Sequence, residues 1–376
     1  MRTAIVSTFP PRACGIGTFA ADLRATLTGT DSVRVADLVA VVHEPSSPQR
    51  RGVLATIAQA VRGDYVRTAR MLGRLDVDVV LLQHEYGIFG GRDGEYVLSF
   101  ARELAQPLVV TLHTVLSEPT RHQAEVLAEL CDEAELVIVM TETAHHLLVD
   151  SGACAEEKVR IVPHGAPARI TARAASEREQ PTRSLSDEET FRLSTFGLIS
   201  PGKGLETVID ALPAMVARYP GLSYTIAGCT HPDVAHREGE RYRLMLERRV
   251  LELGLDAYVE FDDRFLTIDE LSDLLARTDV FVTPYGNREQ IASGALTFAI
   301  AAGCAVVSTP YWYAQDMLAS GAGLLVPFRD PDALADAVCS YLERPEMLAA
   351  ARAEAQRVGS ALAWPAVAEA TASVLH

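Results

Sequence analysis

Apolar positions along the chain alternate between two rhythms. The β-branched runs TAIVST, VRVADLVAVV, DVDVVLLQH, PLVVTLHT, AELVIVMT and KVRIVPHG each read as a buried parallel strand. Between them, FAADLRATL, GEYVLSFARELA and EPTRHQAEVLAELC carry apolar residues at helical spacing. That alternation predicts a doubly wound α/β domain. Residues 168–190 lose the apolar periodicity, gain charge and Ser/Thr, and read as a surface connection. A second alternation follows, with FRLSTFGLI, LSYTIAGC, YVEFDD, DVFVTPY, CAVVSTP and GLLVPF as strands. Its helices are LETVIDALPAMVARY, GERYRLMLERRVLELG, IDELSDLLART, GALTFAIAAG and DPDALADAVCSYLE. Two similar α/β domains in tandem, facing across a cleft, are expected, with no short-period repeat and no low-complexity segment.

Composition narrows the class. At 376 residues and 48% hydrophobic content, the chain can build two cores. The first residues, MRTAIVSTFPPRACGIGTF, have too short an apolar run for a signal peptide or membrane span, so a cytoplasmic protein with no integral membrane segment is expected. Six scattered cysteines, with no C-x-x-C pair, fit reduced thiols better than disulfides or zinc. A net charge of −16 argues against nucleic acid and anionic membranes as partners. Small molecules fit better. Of 34 Lys plus Arg only Lys158 and Lys203 are lysines, so a lysine here is a specific choice.

Ligands of open α/β sheets bind beyond the carboxyl ends of the strands, which directs attention to the loops there. After the first strand, Gly15 and Gly17 allow close backbone approach just before a helix beginning near Thr18. HEYGIFGGRDG follows DVVLLQ, and His113 follows PLVVTL. LISPGKG follows FRLSTFG and sets Lys203 at the start of the next helix, where a compact ammonium suits a phosphate. Structural alternatives stand beside these: a tight turn for the Gly-x-Gly, a satisfied histidine at 113, an inert loop pair at His84 and Glu85, a solvated lysine at 203. Asp262 and Asp263 lack a third ligand and read as turn chemistry rather than a metal site.

With these blocks in this order, CGIG, VTLH, VPHG, GLISPGKG, the loop-helix-strand PYGNREQIASGALTFAIAAGCAVVSTP and a closing helix with Trp364, the chain resembles a retaining glycosyltransferase of family 4 with the GT-B fold. The resemblance runs end to end. It implies an α/β protein of two Rossmann-like domains, residues 1–180 for the acceptor and 190–358 for the nucleotide-sugar donor, with a last helix, 360–376, packing back on the first. It implies a hexose moved from a nucleotide sugar to a carbohydrate acceptor, as in a mannosyl- or glucosyltransferase of carbohydrate biosynthesis, with no cofactor and no metal. Lys203 would hold the diphosphate, Gly15 and Gly17 would approach it from the opposite domain, and His113 would sit beside the reacting sugar. His84, Glu85 and Tyr86 are assigned to the acceptor.

Four positions depart from the family pattern. Leu198 stands where the family has a diphosphate arginine, with Arg12 and Arg288 as replacements. The family's two glutamates, eight apart, fall on Gln290 and Phe298, and His164 replaces its usual asparagine. Phe298 cannot pair a ribose hydroxyl, and an unpaired buried hydroxyl costs about 1 to 3 kcal/mol. Glu289 is then the candidate for the sugar contact, beside Gln290, with the amides of Ser293, Gly294 and Ala295 on the phosphates. Two other readings stay open: a glycoside phosphorylase of related fold, whose pyridoxal-phosphate form would need Lys158 or Lys203, and a non-catalytic sugar-nucleotide-binding protein. Donor base, donor sugar, acceptor and oligomeric state leave no trace in the sequence.

Overall fold

A computed structural model of the chain describes residues 1–12, 14–43, 52–178 and 190–376. Two compact units result, Met1–Gly165 with Trp364–His376, and Ala166–Ala363. The first begins β1 (Arg2–Ser7), α1 (Gly15–Leu27), β2 (Val35–Val42), β3 (Val53–Ala58), α2 (Arg62–Leu72) and β4 (Val79–His84). It continues α3 (Tyr96–Ala101), β5 (Leu108–Leu112), α4 (Arg121–Glu133), β6 (Leu136–Val139), α5 (Glu142–Asp150) and β7 (Val159–Ile161). Its strands form one parallel sheet in the order β3-β2-β1-β4-β5-β6-β7.

The second unit runs α6 (Ala168–Arg178), β8 (Phe191–Phe196), α7 (Leu205–Arg218), β9 (Leu222–Ala227), α8 (Pro232–Glu238), α9 (Arg241–Glu252) and β10 (Val259–Asp262). Then come α10 (Ile268–Arg277), β11 (Val280–Thr283), α11 (Gly294–Ala301), β12 (Ala305–Ser308), α12 (Trp312–Leu318), β13 (Gly323–Leu325), α13 (Pro331–Glu343) and α14 (Pro345–Ser360). Its parallel sheet has the order β10-β9-β8-β11-β12-β13. The last helix, α15 (Trp364–Leu375), belongs to the first unit and packs on α1. No helix among the described residues is long and apolar enough to cross a membrane.

Both sheets reverse strand order at one place, between β1 and β4 and between β8 and β11. At such a switch point the connections leave in opposite directions and open a crevice at the carboxyl ends of the strands. The loops that open there follow β1, β4, β8 and β11.

Local chemistry explains the boundaries. Thr120 and Thr267 begin α4 and α10 in capping boxes with Gln123 and Glu270, each pairing side chain with backbone in both directions. The α4 carboxyl end is closed by Lys158, whose Nζ donates to the carbonyls of Cys131, Asp132 and Ala134 at 3.1, 3.1 and 2.8 Å. Three converging carbonyls match the three donors of an ammonium better than a planar guanidinium. β9 buries alternate residues and β10 half-buries Val259 and Phe261, while Ser223, Thr225, Glu260 and Asp262 line a polar pocket of about 430 Å³.

The structure adds helices that the sequence reading did not single out, α2, α5, α8, α12 and α14, and departs from it elsewhere as follows. Helix α1 starts at Gly15 behind an extended Cys14, so Gly15 and Gly17 form its first turn rather than a loop before it. β3 escapes the pattern because it is an edge strand with four of its six residues only half-buried. Residues 168–178 are helical, not a surface connection, and the chain divides after Gly165 instead of near 180. Ile170 is buried against Leu271, Leu275 and Phe281, while Arg169 and Arg173 pair with Asp269 and Asp273 of α10. One apolar residue per turn with flanking charge suffices to dock α6. The rest of the expected connection, 179–189, lies outside the described residues.

Candidate active site

In the second unit the loops after β8 and β11 lock together through backbone. Gly286 N–H donates to the Gly202 carbonyl at 3.0 Å. Gly204 has φ +61, and a Cβ there would lie 2.2 Å from the Pro284 carbonyl oxygen, so only glycine fits. The loop after β9 closes in the same way: Gly228 has φ +132, and its Cβ would lie 2.0 Å from the Gly197 carbonyl oxygen. Between the first two contacts sits Lys203, half-buried, with Nζ 3.8 Å from the centre of the Tyr285 ring.

The loop from Tyr285 leads into α11, capped by the buried Ser293, whose hydroxyl accepts from Leu296 N–H at 3.3 Å. Among the described residues no acceptor serves the Gly294 and Ala295 amides before it. They point out of the positive end of the helix. Gln290 turns inward, its Nε2 donating to Ala292 O at 3.0 Å, and its own carbonyl accepts from Tyr313 N–H. Its side chain therefore braces the loop. Glu289 is half-buried, in a turn where its N–H donates to the Asn287 side chain at 3.0 Å. The structure thus gathers Lys203, Glu289, Gln290, Ser293, Gly294 and Ala295 in one unit.

The departures from the family pattern find partners here. Phe298 stacks on Phe196 at 6.1 Å in a half-buried aromatic pair. Leu198 is half-buried beside Lys203 in a small pocket. Arg288 is exposed and uses its carbonyl to accept from Trp312 N–H. Nothing local in the sequence marks Arg243 among the many arginines. It is only 6% exposed, holds the Gly228 carbonyl through Nη2, and leaves Nη1 with no partner among the described residues. Asp262 is gripped by Arg264 at 2.7 and 2.9 Å, which holds its carboxyl below the usual range, and no group of three or more metal-ligating side chains forms among the described residues.

In the first unit the candidate residues collect around Phe19, which packs edge-on against His113, His164 and Trp364 at 4.9, 4.9 and 5.0 Å. Trp364 in turn lies flat against Gly165, where a Cβ would come within 2.3 Å of the indole. His113 is 8% exposed, with Nε2 at 2.9 Å from Gln83 Oε1. Since the Gln83 amide nitrogen faces Thr111, its oxygen accepts and the His113 proton sits on Nε2. Burial, with His164 and His84 nearby, pushes the His113 pKa down to about 3.

His84 is fully buried against Tyr86 and Phe89, with no partner for either ring nitrogen among the described residues, and burial lowers its pKa to about 4. His164, placed to donate from Nδ1 to Gly165 O at 2.8 Å, is likewise lowered to about 4 by burial. Glu85 caps the turn at Tyr86 through its N–H at 2.9 Å and takes the Thr114 hydroxyl on its other oxygen; burial raises its pKa. Tyr86 reaches the Gln123 carbonyl at 3.5 Å. Arg12 contacts Gln59, which ties to the Gly87 and Phe89 carbonyls. Gly17 lets α1 rest on Phe9, whereas a Cβ on Gly15 would meet nothing within 4 Å. Phe19, Gln83 and Trp364 organise this cluster, and periodicity alone marked them only as core.

The three buried histidines make stability fall with acid. Their folded pKa values lie below the unfolded 6.5, so below pH 6.5 the unfolded chain takes up protons that the folded chain refuses. His122 opposes this. Bonds to Asp93 and Glu95 raise its pKa, so its contribution is present below pH 6.5 and fades as pH rises through the raised value. Urea unfolding at a series of pH values should show stability falling from pH 6.5 toward 4. His113→Gln should flatten that slope by about one proton, or about 1.4 kcal/mol per pH unit at its steepest. An unchanged slope would show that His113 titrates normally in the folded chain.

Comparison with known proteins agrees with this geometry. Residues 190–344 match the family model described as glycosyl transferases group 1. Over 364 residues the chain is 25% identical to the D-inositol 3-phosphate glycosyltransferase of Corynebacterium glutamicum, covering 92% of this chain and 83% of that one. Over 166 residues it is 31% identical to the phosphatidyl-myo-inositol mannosyltransferase of Mycobacterium tuberculosis, covering 42% of this chain and 40% of the relative. The structure of HepE from Anabaena in complex with UDP superposes with a TM-score of 0.76 over 100% of this chain and 99% of HepE, at 16% identity. That likeness shows the fold. The chain thus has the GT-B fold of two Rossmann-like α/β units, and the match to the group 1 glycosyltransferase model lies within its second unit.

Proposed function

We propose that the protein transfers a hexose from a nucleotide-sugar donor to a sugar or other small acceptor, with retention of anomeric configuration. The observation that carries this reading is the placement of Lys203 between two interlocked loops, in the same unit as the open amides at the start of α11. An ammonium and two oriented amides suit a diphosphate leaving group, because they stabilise the charge that grows on it as the glycosidic bond breaks. The relatives support the substrate class: one is named for D-inositol 3-phosphate, another is a mannosyltransferase, and HepE was solved with UDP. UDP and GDP are therefore the nucleotides to test.

In this mechanism the sugar leaves the diphosphate with oxocarbenium character and the acceptor oxygen attacks the same face. The departing phosphate oxygen takes the acceptor proton. Glu289 holds the sugar hydroxyls, since Gln290 is spent bracing the loop. Ser293 contributes by fixing the first turn of α11, and Gly294 and Ala295 present their amides to the phosphates. In the first unit, a Cβ at Gly15 would meet nothing, and His113 is held as a neutral imidazole. His84, Glu85 and Tyr86 shape the acceptor loop rather than hold the acceptor by charge, because each is committed to packing or to a turn. Lys158, spent on the end of α4, is not free for a Schiff base.

Calorimetry of UDP and GDP binding, paired with nucleoside-diphosphate release from UDP-glucose and GDP-mannose, tests the reading. Lys203→Ala should weaken binding by about 1.5 to 3 kcal/mol and abolish turnover; parent-like binding would reduce Lys203 to a solvated side chain. The product's anomeric proton, read by NMR, should keep the donor's configuration. Chelator should leave turnover largely intact, since cation and amides meet the diphosphate charge without a metal. Loss in EDTA, restored by magnesium or manganese, would overturn that part.

A further inference from the structure

Lys203 meets an aromatic face and not a carboxylate. Among the described residues no acid lies within ion-pair distance of its ammonium, whose partner is the Tyr285 ring, 3.8 Å away. The distinction matters for an anion site. A carboxylate would hold the lysine but cancel its charge and compete with any phosphate for its three donors. A ring face attracts the ammonium through its quadrupole, leaves the net positive charge in place, and leaves the outward N–H bonds unused.

The ring is held as firmly as a positioning device requires. Tyr285 is 0% exposed and lies between the two backbone contacts that join its loop to that of Lys203, Gly204 against Pro284 and Gly286 to Gly202. Its carbonyl accepts the Thr309 hydroxyl at 2.6 Å, and its ring stacks on Tyr311 at 5.0 Å and 19°. The Tyr311 hydroxyl reaches Thr283 at the end of β11, so the stack is anchored to the sheet. The Tyr285 hydroxyl has no partner among the described residues. A buried tyrosine kept for its hydroxyl would have that group bonded; here the face is what is used.

We infer that Tyr285 is a positioning residue whose ring face fixes the Lys203 ammonium, with no carboxylate to offset it, where a nucleoside diphosphate binds. The inference rests on the nucleotide-sugar reading above and adds to it a residue that contacts the cation and not the ligand. Pre-placing a long, flexible side chain removes a cost that would otherwise fall on binding.

The test separates ring electronics from shape. Calorimetry with UDP and GDP is run on the full chain, on Tyr285→Phe, and on chains carrying phenylalanine at 285 with successively more ring fluorines, which drain the face of negative charge at nearly constant volume. Tyr285→Phe should bind within about threefold of the parent. Across the fluorinated series Kd should rise stepwise, by on the order of tenfold in all. In a Lys203→Ala background the series should be flat. A flat or falling series in the parent background, an equal rise without Lys203, or loss of binding in Tyr285→Phe would each overturn the inference. A parent chain that binds neither nucleotide would overturn the nucleotide-sugar reading and this inference with it, whereas a flat series on a chain that binds overturns the inference alone.

Discussion

Two carbonyls meeting two glycines hold the candidate donor site together. Gly204 can face the Pro284 carbonyl only because it has no Cβ and tolerates a positive φ, and Gly286 returns the contact by donating to Gly202. Each contact joins a loop after β8 to one after β11, across the switch point where the strand order reverses. Everything chemical in that unit depends on this seam. It sets Lys203 over Tyr285, fixes the path of the chain into α11, and leaves the first amides of that helix with no acceptor among the described residues.

The first unit solves a different problem by burial. Phe19 gathers His113, His164 and Trp364 into one packed group, and the dry surroundings keep the imidazoles neutral. The same burial ties this unit's stability to pH, with the weakest fold on the acid side.

Much of this was legible in the residues, but unevenly. Strand and helix periods revealed both α/β units because buried parallel strands are continuous apolar runs, and the half-exposed edge strand β3 broke that rule. Scarcity of lysine marks Lys203, yet it marks Lys158 equally, and only the three carbonyls at the end of α4 show Lys158 to be structural and leave Lys203 as the candidate. Tyr285 reads as an ordinary residue at the end of a strand. Its place under Lys203 comes from a meeting of loops more than eighty residues apart, which no local pattern records. Phe298 looks like a lost carboxylate in sequence, and the structure explains it as half of an aromatic pair with Phe196.

The central claim is that the glycine seam, by placing Lys203, creates the nucleotide site. Titrating UDP into Gly204→Ala tests it most directly, because the change adds one methyl group where the Pro284 carbonyl already stands and touches no proposed ligand contact. The account predicts affinity lost by at least about tenfold, the cost expected of a left-handed, crowded alanine, with the far-UV circular dichroism of the parent retained. Parent-like UDP affinity in Gly204→Ala would contradict it.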